Sequence, residues 1–253
     1  MNDWNAQALV LRVGHFREID LWLKLLVQGK GLMTAFAFGG SVSKHRFCGC
    51  LEVFNTLQCR FRRAKRRDCY TLEEAQLVAG PNQLRQNWSR MGVAANCLRF
   101  LETFGTTDEH CEHVFSLLED LRHTLEVSNP ISDLLPLLFR FHLACTTGYA
   151  PDLWHCSLCQ RPIQDASLFV VNAGQIFCPG CQNQLSLPEQ QRFAIVLDHK
   201  ILSMLRRVAQ ELPRAWYTHD LTGTQRQIVA RTIDGFIQYH LGIIWRKGSF
   251  IRI

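Results

Sequence analysis

The chain has 253 residues, 47% of them hydrophobic and 20% charged, with 11 cysteines and a formal net charge of +6. This composition can fill real cores and suits two or three small domains, while no stretch approaches the ~20 uninterrupted apolar residues of a membrane span. The segment from Met1 to Val13 lacks the basic start, apolar run and small-residue cleavage site of a secretory signal. The expected location is therefore the cytoplasm, where reduced thiols argue for metal binding or buried small hydrophobes rather than a disulfide scaffold.

Taken in chain order, the first 75 or so residues read as β. Alternating or apolar runs at Ala8–Val13, Asp20–Val27, Leu32–Phe38, Phe47–Cys59 and Cys69–Leu72 are separated by turn material such as Gly29-Lys30-Gly31 and Gly39-Gly40-Ser41. Five short strands in this length fit a closed barrel, because closure removes exposed edges. The oligonucleotide-binding (OB) barrel is the commonest five-stranded solution, and pattern alone leaves an SH3-like barrel open. On a strand, Cys48 and Cys50 would share one face.

After Gly80-Pro81 the period turns helical. Helices are expected over Asn82–Phe104, with Trp88 among the inward residues, over Glu109–Val127 capped by Asp108, and over Ile131–Thr147 closed by Gly148. Pro136 predicts a distorted first turn in the third. A cysteine segment follows, Leu153 to Gln184, and then Pro188 opens a helix over Glu189–Leu212 and Thr222 opens a last one over Gln225–Trp245. The fold class expected is α+β and multidomain: an OB-type barrel over 1–80, a helical domain over 81–152 and 186–253, and a four-cysteine zinc ribbon inserted over 153–185.

The cysteine segment carries the strongest chemical signal. Cys156-x2-Cys159 and Cys178-x2-Cys181 are separated by 18 residues, within the range of ribbon-type sites. Each tight turn aims two sulfurs at one ion, and four thiolates at ~2.3 Å complete a tetrahedron with no position left for water. The expectation is one structural Zn2+; iron–sulfur ligation, two redox pairs and four unrelated core cysteines are the other readings of the same spacing. Cys48, Cys50, Cys59, Cys69, Cys97, Cys111 and Cys145 show no ligand spacing. His110-Cys111-Glu112 has the H-x-E form of zinc deaminases, but His155 rather than proline precedes Cys156 and the four knuckle cysteines already pair among themselves. Hydrolase, phosphate-loop and dinucleotide motifs are missing, so no catalytic or cofactor-binding residue is expected.

Charge is concentrated rather than spread. Eight of the 28 Lys and Arg lie between Lys44 and Arg67, where Glu52 is the one acid. Such a block suits a polyanion binder, and equally a solvated face or a membrane-surface patch. Lys44, Arg46, Arg60, Arg62, Arg63, Lys65, Arg66 and Arg67 are the candidate DNA contacts. Trp22, Phe36, Phe38, Phe47, Phe54 and Phe61 interleave with them, and rings of this kind serve either as core or as stacking platforms for unpaired bases. Phe61, flanked by arginines, is the ring singled out for stacking.

Several segments resemble one family. They are Ala8-Leu9-Val10-Leu11, Arg17-Glu18-Ile19-Asp20, Gly29-Lys30-Gly31, and Gly39-Gly40-Ser41-Val42-Ser43-Lys44. Above all there is Leu138-Phe139-Arg140-Phe141-His142-Leu143-Ala144 running through Gly148-Tyr149-Ala150-Pro151-Asp152-Leu153 into the first knuckle. Together with the order of barrel, helices, knuckles and helices, they resemble the bacterial RecO recombination mediators. Phe38 and Ser41 stand where that family usually carries a Lys and an Arg. The resemblance implies a cytoplasmic, nucleoid-associated protein without enzymatic activity. It would bind single- and double-stranded DNA, anneal complementary strands, and engage RecR and the single-strand DNA-binding protein so that RecA is loaded. The competing reading is a zinc-ribbon adapter that joins proteins and never touches nucleic acid.

Overall fold

The computed structural model describes residues 3–63, 69–184, 193–216 and 221–253. They gather into two compact bodies, one of residues 1–91 with 105–127 and one of residues 92–104 with 128–253. No helix among the described residues is long and apolar enough to cross a membrane.

The first body is built on a closed barrel of β1 (Asp3–His15), β2 (Leu21–Val27), β3 (Gly31–Ala37), β4 (Thr56–Arg63) and β5 (Tyr70–Ala79). Its strand order is β1-β2-β3-β5-β4, and the parallel β3–β5 pairing completes the cylinder. This is the OB-type arrangement. Alternation fills the interior with Val10, Leu23, Leu25, Ala35, Leu57 and Leu72, all fully buried. Helix α2 (Cys111–Val127) belongs to the same body and turns Val114, Leu117, Leu118 and Leu121 inward.

The single expected strand Phe47–Cys59 does not form. Residues between Ser43 and Asn55 make a loop, and the ladder starts only at Thr56. Cys48, Gly49 and Phe54 take positive φ values of 46°, 71° and 67°, which no strand accommodates. The loop nevertheless buries Phe47, Leu51 and Phe54. Cys48 and Cys50 consequently part company: Cys48 is exposed and Cys50 is buried. The last barrel strand is longer than the expected Cys69–Leu72, because β4 pairs along it from Tyr70 to Ala79.

Helix α1 (Trp88–Phe104) starts later than expected, after a short turn at Leu84–Gln86. Trp88 sits in its first turn at 89% exposure, not inward. In the second body, α3 (Leu135–Ala144) starts with Pro136 in its first turn and buries Leu138, Phe139, Phe141 and Leu143. It ends in a wide π-type turn whose Gly148 reaches φ 100°. The stretch that carries the family resemblance is thus the core of this body.

A small sheet of order β7-β6-β8 follows, from β6 (Ser167–Val170), β7 (Gln175–Phe177) and β8 (Ala194–Leu197). The expected helix Glu189–Leu212 therefore needs correcting: 189–192 lie outside the described residues, and Ala194–Leu197 pair with β6. Helix α4 (His199–Gln210) begins only where Asp198 accepts a hydrogen bond from the Ile201 N–H at 2.9 Å. Helix α5 (Gly223–Leu241) opens on a capping box between Thr222 and Gln225, and Gly242 in the left-handed region ends it. Trp245, expected to be helical, lies instead on β9 (Ile243–Arg246), paired with β10 (Ser249–Arg252) in a C-terminal hairpin.

Candidate metal centre and nucleic-acid interface

The chain is steered into the first knuckle by its backbone. The Asp152 carboxylate accepts from the N–H groups of Trp154 at 2.8 Å and His155 at 3.1 Å, which turns the chain after Pro151. His155 bridges to Pro162, the Cys156 N–H donates to the Arg161 carbonyl at 2.9 Å, and Gln160 supplies the left-handed turn at φ 58°. The β6–β7 hairpin pairs Leu168 with Phe177 and so delivers Cys178 beside the first knuckle, where its N–H faces Cys156 Sγ at 3.5 Å.

All four sulfurs lie within 4.8 Å of one another, with Cys159 Sγ and Cys178 Sγ 3.8 Å apart. A disulfide needs ~2.05 Å, whereas a tetrahedron with ~2.3 Å metal–sulfur bonds sets its sulfurs about 3.8 Å apart. The donor set fits an ion that accepts four thiolates. Burial works against ionising Cys156, but N–H groups from Cys159, Cys178 and Leu158 outweigh it and hold that thiol at about 6. Cys181 is pushed up to about 12, by burial first and then by the neighbouring sulfurs. This is the one such metal-competent group among the described residues, and His110, Cys111 and Glu112 are not part of it. Cys111 is buried and donates to the Val27 carbonyl at 3.0 Å. Burial likewise raises Cys59, Cys97 and Cys145 to about 12, as for inert core thiols.

Arg206 of α4 holds the knuckle to the helical body. Its guanidinium donates to the Leu153 carbonyl at 3.0 and 2.7 Å and to the Ile163 carbonyl at 2.9 Å.

On the barrel, the basic run looks different in space than along the chain. Arg60 meets Glu74 at 2.8 Å and Asp3 at 3.7 Å, while Arg62 meets Asp3 at 2.9 Å and Glu73 at 3.2 Å. Strands β1 and β5 flank β4, so they bring three acids to a strand whose own residues carry none. Hydrogen bonding to Arg62 is the main influence keeping the Asp3 carboxyl below its ordinary value. Arg63 is exposed, and Lys65, Arg66 and Arg67 lie outside the described residues. Lys44 and Arg46 are exposed in the loop before β4, where Arg46 donates to the Phe38 carbonyl and covers the Phe47 ring at 5.1 Å. Phe61 is no platform: it is fully buried, with Trp4 stacked on it at 4.6 Å. Phe47 and Phe54 are core as well.

A second set of cations and rings lies on the outer side of β1, β2 and β3. Gly14 faces Trp22 and Arg12 faces Lys24 across β1–β2, while Trp22 faces Phe36 and Lys24 faces Thr34 across β2–β3. Arg12 sits 5.4 Å from the centre of the Trp22 ring, Phe16 packs edge-on to Phe36 at 5.2 Å, and Arg17 lies 5.3 Å over Phe16.

Two family models divide the chain between them: Recombination protein O N terminal matches residues 1–81 and Recombination protein O C terminal matches residues 85–249. The chain belongs to the RecO family. The DNA repair protein RecO of Nitratidesulfovibrio vulgaris is 40% identical over 256 residues, covering 99% of this chain and 100% of that protein. The RecO proteins of Lawsonia intracellularis and Oleidesulfovibrio alaskensis are each 36% identical, again over 99% of this chain and 100% of theirs.

Within this RecO chain, sequence reasoning found all four cysteines but missed Arg206, Gly14, Arg12 and Lys24. Arg206 lies 47 residues from Cys159 in a helical run with no local sign of its target. Gly14 and Trp22 face each other only because of the β1–β2 register.

Proposed function

We propose that this RecO-family protein is a DNA-binding recombination mediator and not an enzyme. In this reading the barrel grips the phosphate backbone of single- and double-stranded DNA through solvent-facing cations, among them Lys44, Arg46 and Arg63. The paired Arg60 and Arg62 contribute less, and Lys65, Arg66 and Arg67 extend the run. The helical regions, 81–152 and 186–253, offer the surfaces that meet RecR and the single-strand DNA-binding protein. The ribbon, 153–185, braces that body. Annealing of complementary strands and help in loading RecA follow from the RecO resemblance, as does a cytoplasmic, nucleoid-associated location.

The observation that carries this reading is a closed OB-type barrel with a basic surface, in a chain that RecO family models match from residue 1 to residue 249. The four cysteines support structural zinc, because thiolates suit Zn2+ and four of them leave the ion no open position.

The test is annealing of complementary oligonucleotides coated with single-strand DNA-binding protein. The protein should accelerate annealing, and more salt should weaken its DNA binding steeply, since each neutralised phosphate releases counterions. If the protein binds no oligonucleotide at low ionic strength, the mediator reading fails and the protein-joining adapter takes its place.

A further inference from the structure

We propose that Cys48 and Cys50 form a hydroperoxide-reactive dithiol site, in which Cys48 takes the oxidation and Cys50 resolves it as a 48–50 disulfide. The site lies in the loop between β3 and β4 and shares no residue with the four-cysteine cluster. It does not depend on the reading of the chain as a DNA-binding protein.

Access comes first. Of the eleven cysteines, all within described residues, Cys48 alone is exposed. Reactive thiols sit in exposed, electropositive surroundings, and Lys44, His45 and Arg46 precede it on the same loop. Cys48 also lines a cleft of about 490 Å³ in the barrel body, together with Cys50, His45, Gln76 and Arg85. Glu52, in the wall of this cleft, is paired with Arg85 at 3.1 Å. A hydroperoxide therefore reaches one sulfur from solvent and leaves the second within the same cleft.

The turn permits closure. Cys48 and Gly49 take φ values of 46° and 71°, and the Cys50 N–H donates to the Phe47 carbonyl at 2.9 Å. With one residue between them, two α-carbons lie about 7 Å apart at full extension and closer in a turn, while a disulfide spans ~4.4–6.8 Å. A side chain on Gly49 would meet no atom within 4 Å, so the residue between the two cysteines has room to turn. Cys59 is no rival, because it is 1% exposed and burial pushes its thiol up to about 12.

Burial assigns the roles. The Cys48 thiol donates to the Lys44 carbonyl at 3.1 Å, and on losing its proton the sulfur is released from that contact into the cleft. Cys50 is 6% exposed; burial raises its thiol above the ordinary value, and negative charge on Cys48 adds to the effect. The Cys48 thiolate attacks an oxygen of the hydroperoxide. An S–O bond forms, the O–O bond breaks, and the leaving oxygen takes a proton to become an alcohol or water. Cys48 is now an uncharged sulfenic acid, so the charge that opposed ionisation of Cys50 is gone. The Cys50 thiolate then attacks the Cys48 sulfur, the S–S bond forms, and the S–O bond breaks. The departing hydroxide takes up the proton that Cys50 lost and leaves as water. Two thiols are oxidised by two electrons, and one hydroperoxide is reduced by the same two.

The experiment treats the full-length protein with hydrogen peroxide, blocks the remaining thiols with N-ethylmaleimide in denaturant, and digests with trypsin. Cleavage after Arg46 and Arg60 gives one peptide, residues 47–60, that holds Cys48, Cys50 and Cys59, so oxidation of the metal-cluster cysteines registers elsewhere. Untreated protein should yield this peptide with three maleimides. After peroxide it should carry one, on Cys59, and lack two hydrogens, and dithiothreitol should restore all three thiols. Cys50→Ala should stop the reaction at a Cys48 sulfenic acid that dimedone captures. Cys48→Ser, a change at an exposed position that leaves the core intact, should keep Cys50 and Cys59 reduced. Three maleimides after peroxide, Cys48 oxidised beyond sulfenic acid while Cys50 stays free, or a disulfide to Cys59 would each overturn the site.

Discussion

The indole of Trp22 stands over Gly14: a methyl carbon placed on that glycine would fall within 2.5 Å of three atoms of the ring. The contact crosses from β1 to β2 and sets where the largest outward-facing ring of the β1–β2 pair can lie.

Gly14→Ala therefore separates two effects that usually oppose each other. In an extended strand alanine restrains the unfolded chain and gains up to about 1 kcal/mol. Here it must also displace the indole, at an overpacking cost of about 1–3 kcal/mol. The expected net result is a loss of roughly 1–2 kcal/mol in a urea melt, with a changed tryptophan near-ultraviolet signal. An alanine variant as stable as wild type with an unaltered signal would mean that the indole moves without cost.

The ion pairs of β4 predict a gain rather than a loss. Asp3 sits between Arg60 and Arg62, both well exposed to solvent. Exposed pairs of this kind stabilise by about 0–1 kcal/mol, so Asp3→Asn should barely move the melting curve. Combined with Glu73→Gln and Glu74→Gln, which remove the second partner of each arginine, it should release two guanidinium groups toward phosphates, tighten duplex binding a few-fold and steepen its salt slope by up to about 1.8, at ~0.9 per contact. Unchanged affinity and slope would show that β4 does not face the DNA, and that the cations which matter lie elsewhere on the barrel.

The same pairs show where sequence reading stops. Between Lys44 and Arg67 only Glu52 opposes eight cations along the chain, yet Asp3, Glu73 and Glu74 arrive from neighbouring strands by register, which no local pattern encodes. The barrel itself was legible, because alternation over β1–β3 is a local consequence of one buried face. The loop between β3 and β4 was not, since it places Cys48 and Phe54 at positive φ, where neither residue type gives warning. The four-cysteine cluster was legible because two C-x2-C turns at ribbon spacing leave thiolates few other uses. The β8 strand and the β9–β10 hairpin were hidden, because Ala194-Ile195-Val196-Leu197 and Ile243-Ile244-Trp245 read as extensions of adjoining apolar helices. Asp198 and Gly242 mark the true ends.

The metal brace has its own prediction. The purified protein should carry one zinc per chain, and Cys178→Ser should release it and lower the unfolding free energy by several kcal/mol, since binding energy at a structural site is folding energy. Arg206→Ala should loosen the same region without touching a ligand. It leaves the Leu153 and Ile163 carbonyls without their donor, at about 2–3 kcal/mol, and should speed zinc loss to a chelator. Arg206→Lys should recover only part of this, because an ammonium cannot reproduce the planar fork. Metal retained by Cys178→Ser with an unchanged melting temperature would remove the site.

Asp198 gives a pH-dependent test in the same body. Its carboxylate caps α4 through the Ile201 N–H and also accepts from the Gln225 side chain at 2.7 Å, joining the start of α4 to the first turn of α5. Burial favours its protonated form, but the hydrogen bonds from Gln225, Ile201 and Lys200 outweigh it and hold the carboxyl below its ordinary value of 3.8. A carboxylate whose folded value is depressed contributes stability that is complete above the unfolded value and is lost as pH falls through the folded one. Asp198→Ala should accordingly cost about 1 kcal/mol at neutral pH, and its gap from wild type should begin to close only below about pH 4. Asp198→Asn keeps a neutral cap, so its stability relative to Asp198→Ala should not change over the same range. A wild-type advantage over Asp198→Ala that stays constant down to pH 2.5 would mean that the ionised carboxylate contributes nothing beyond its shape.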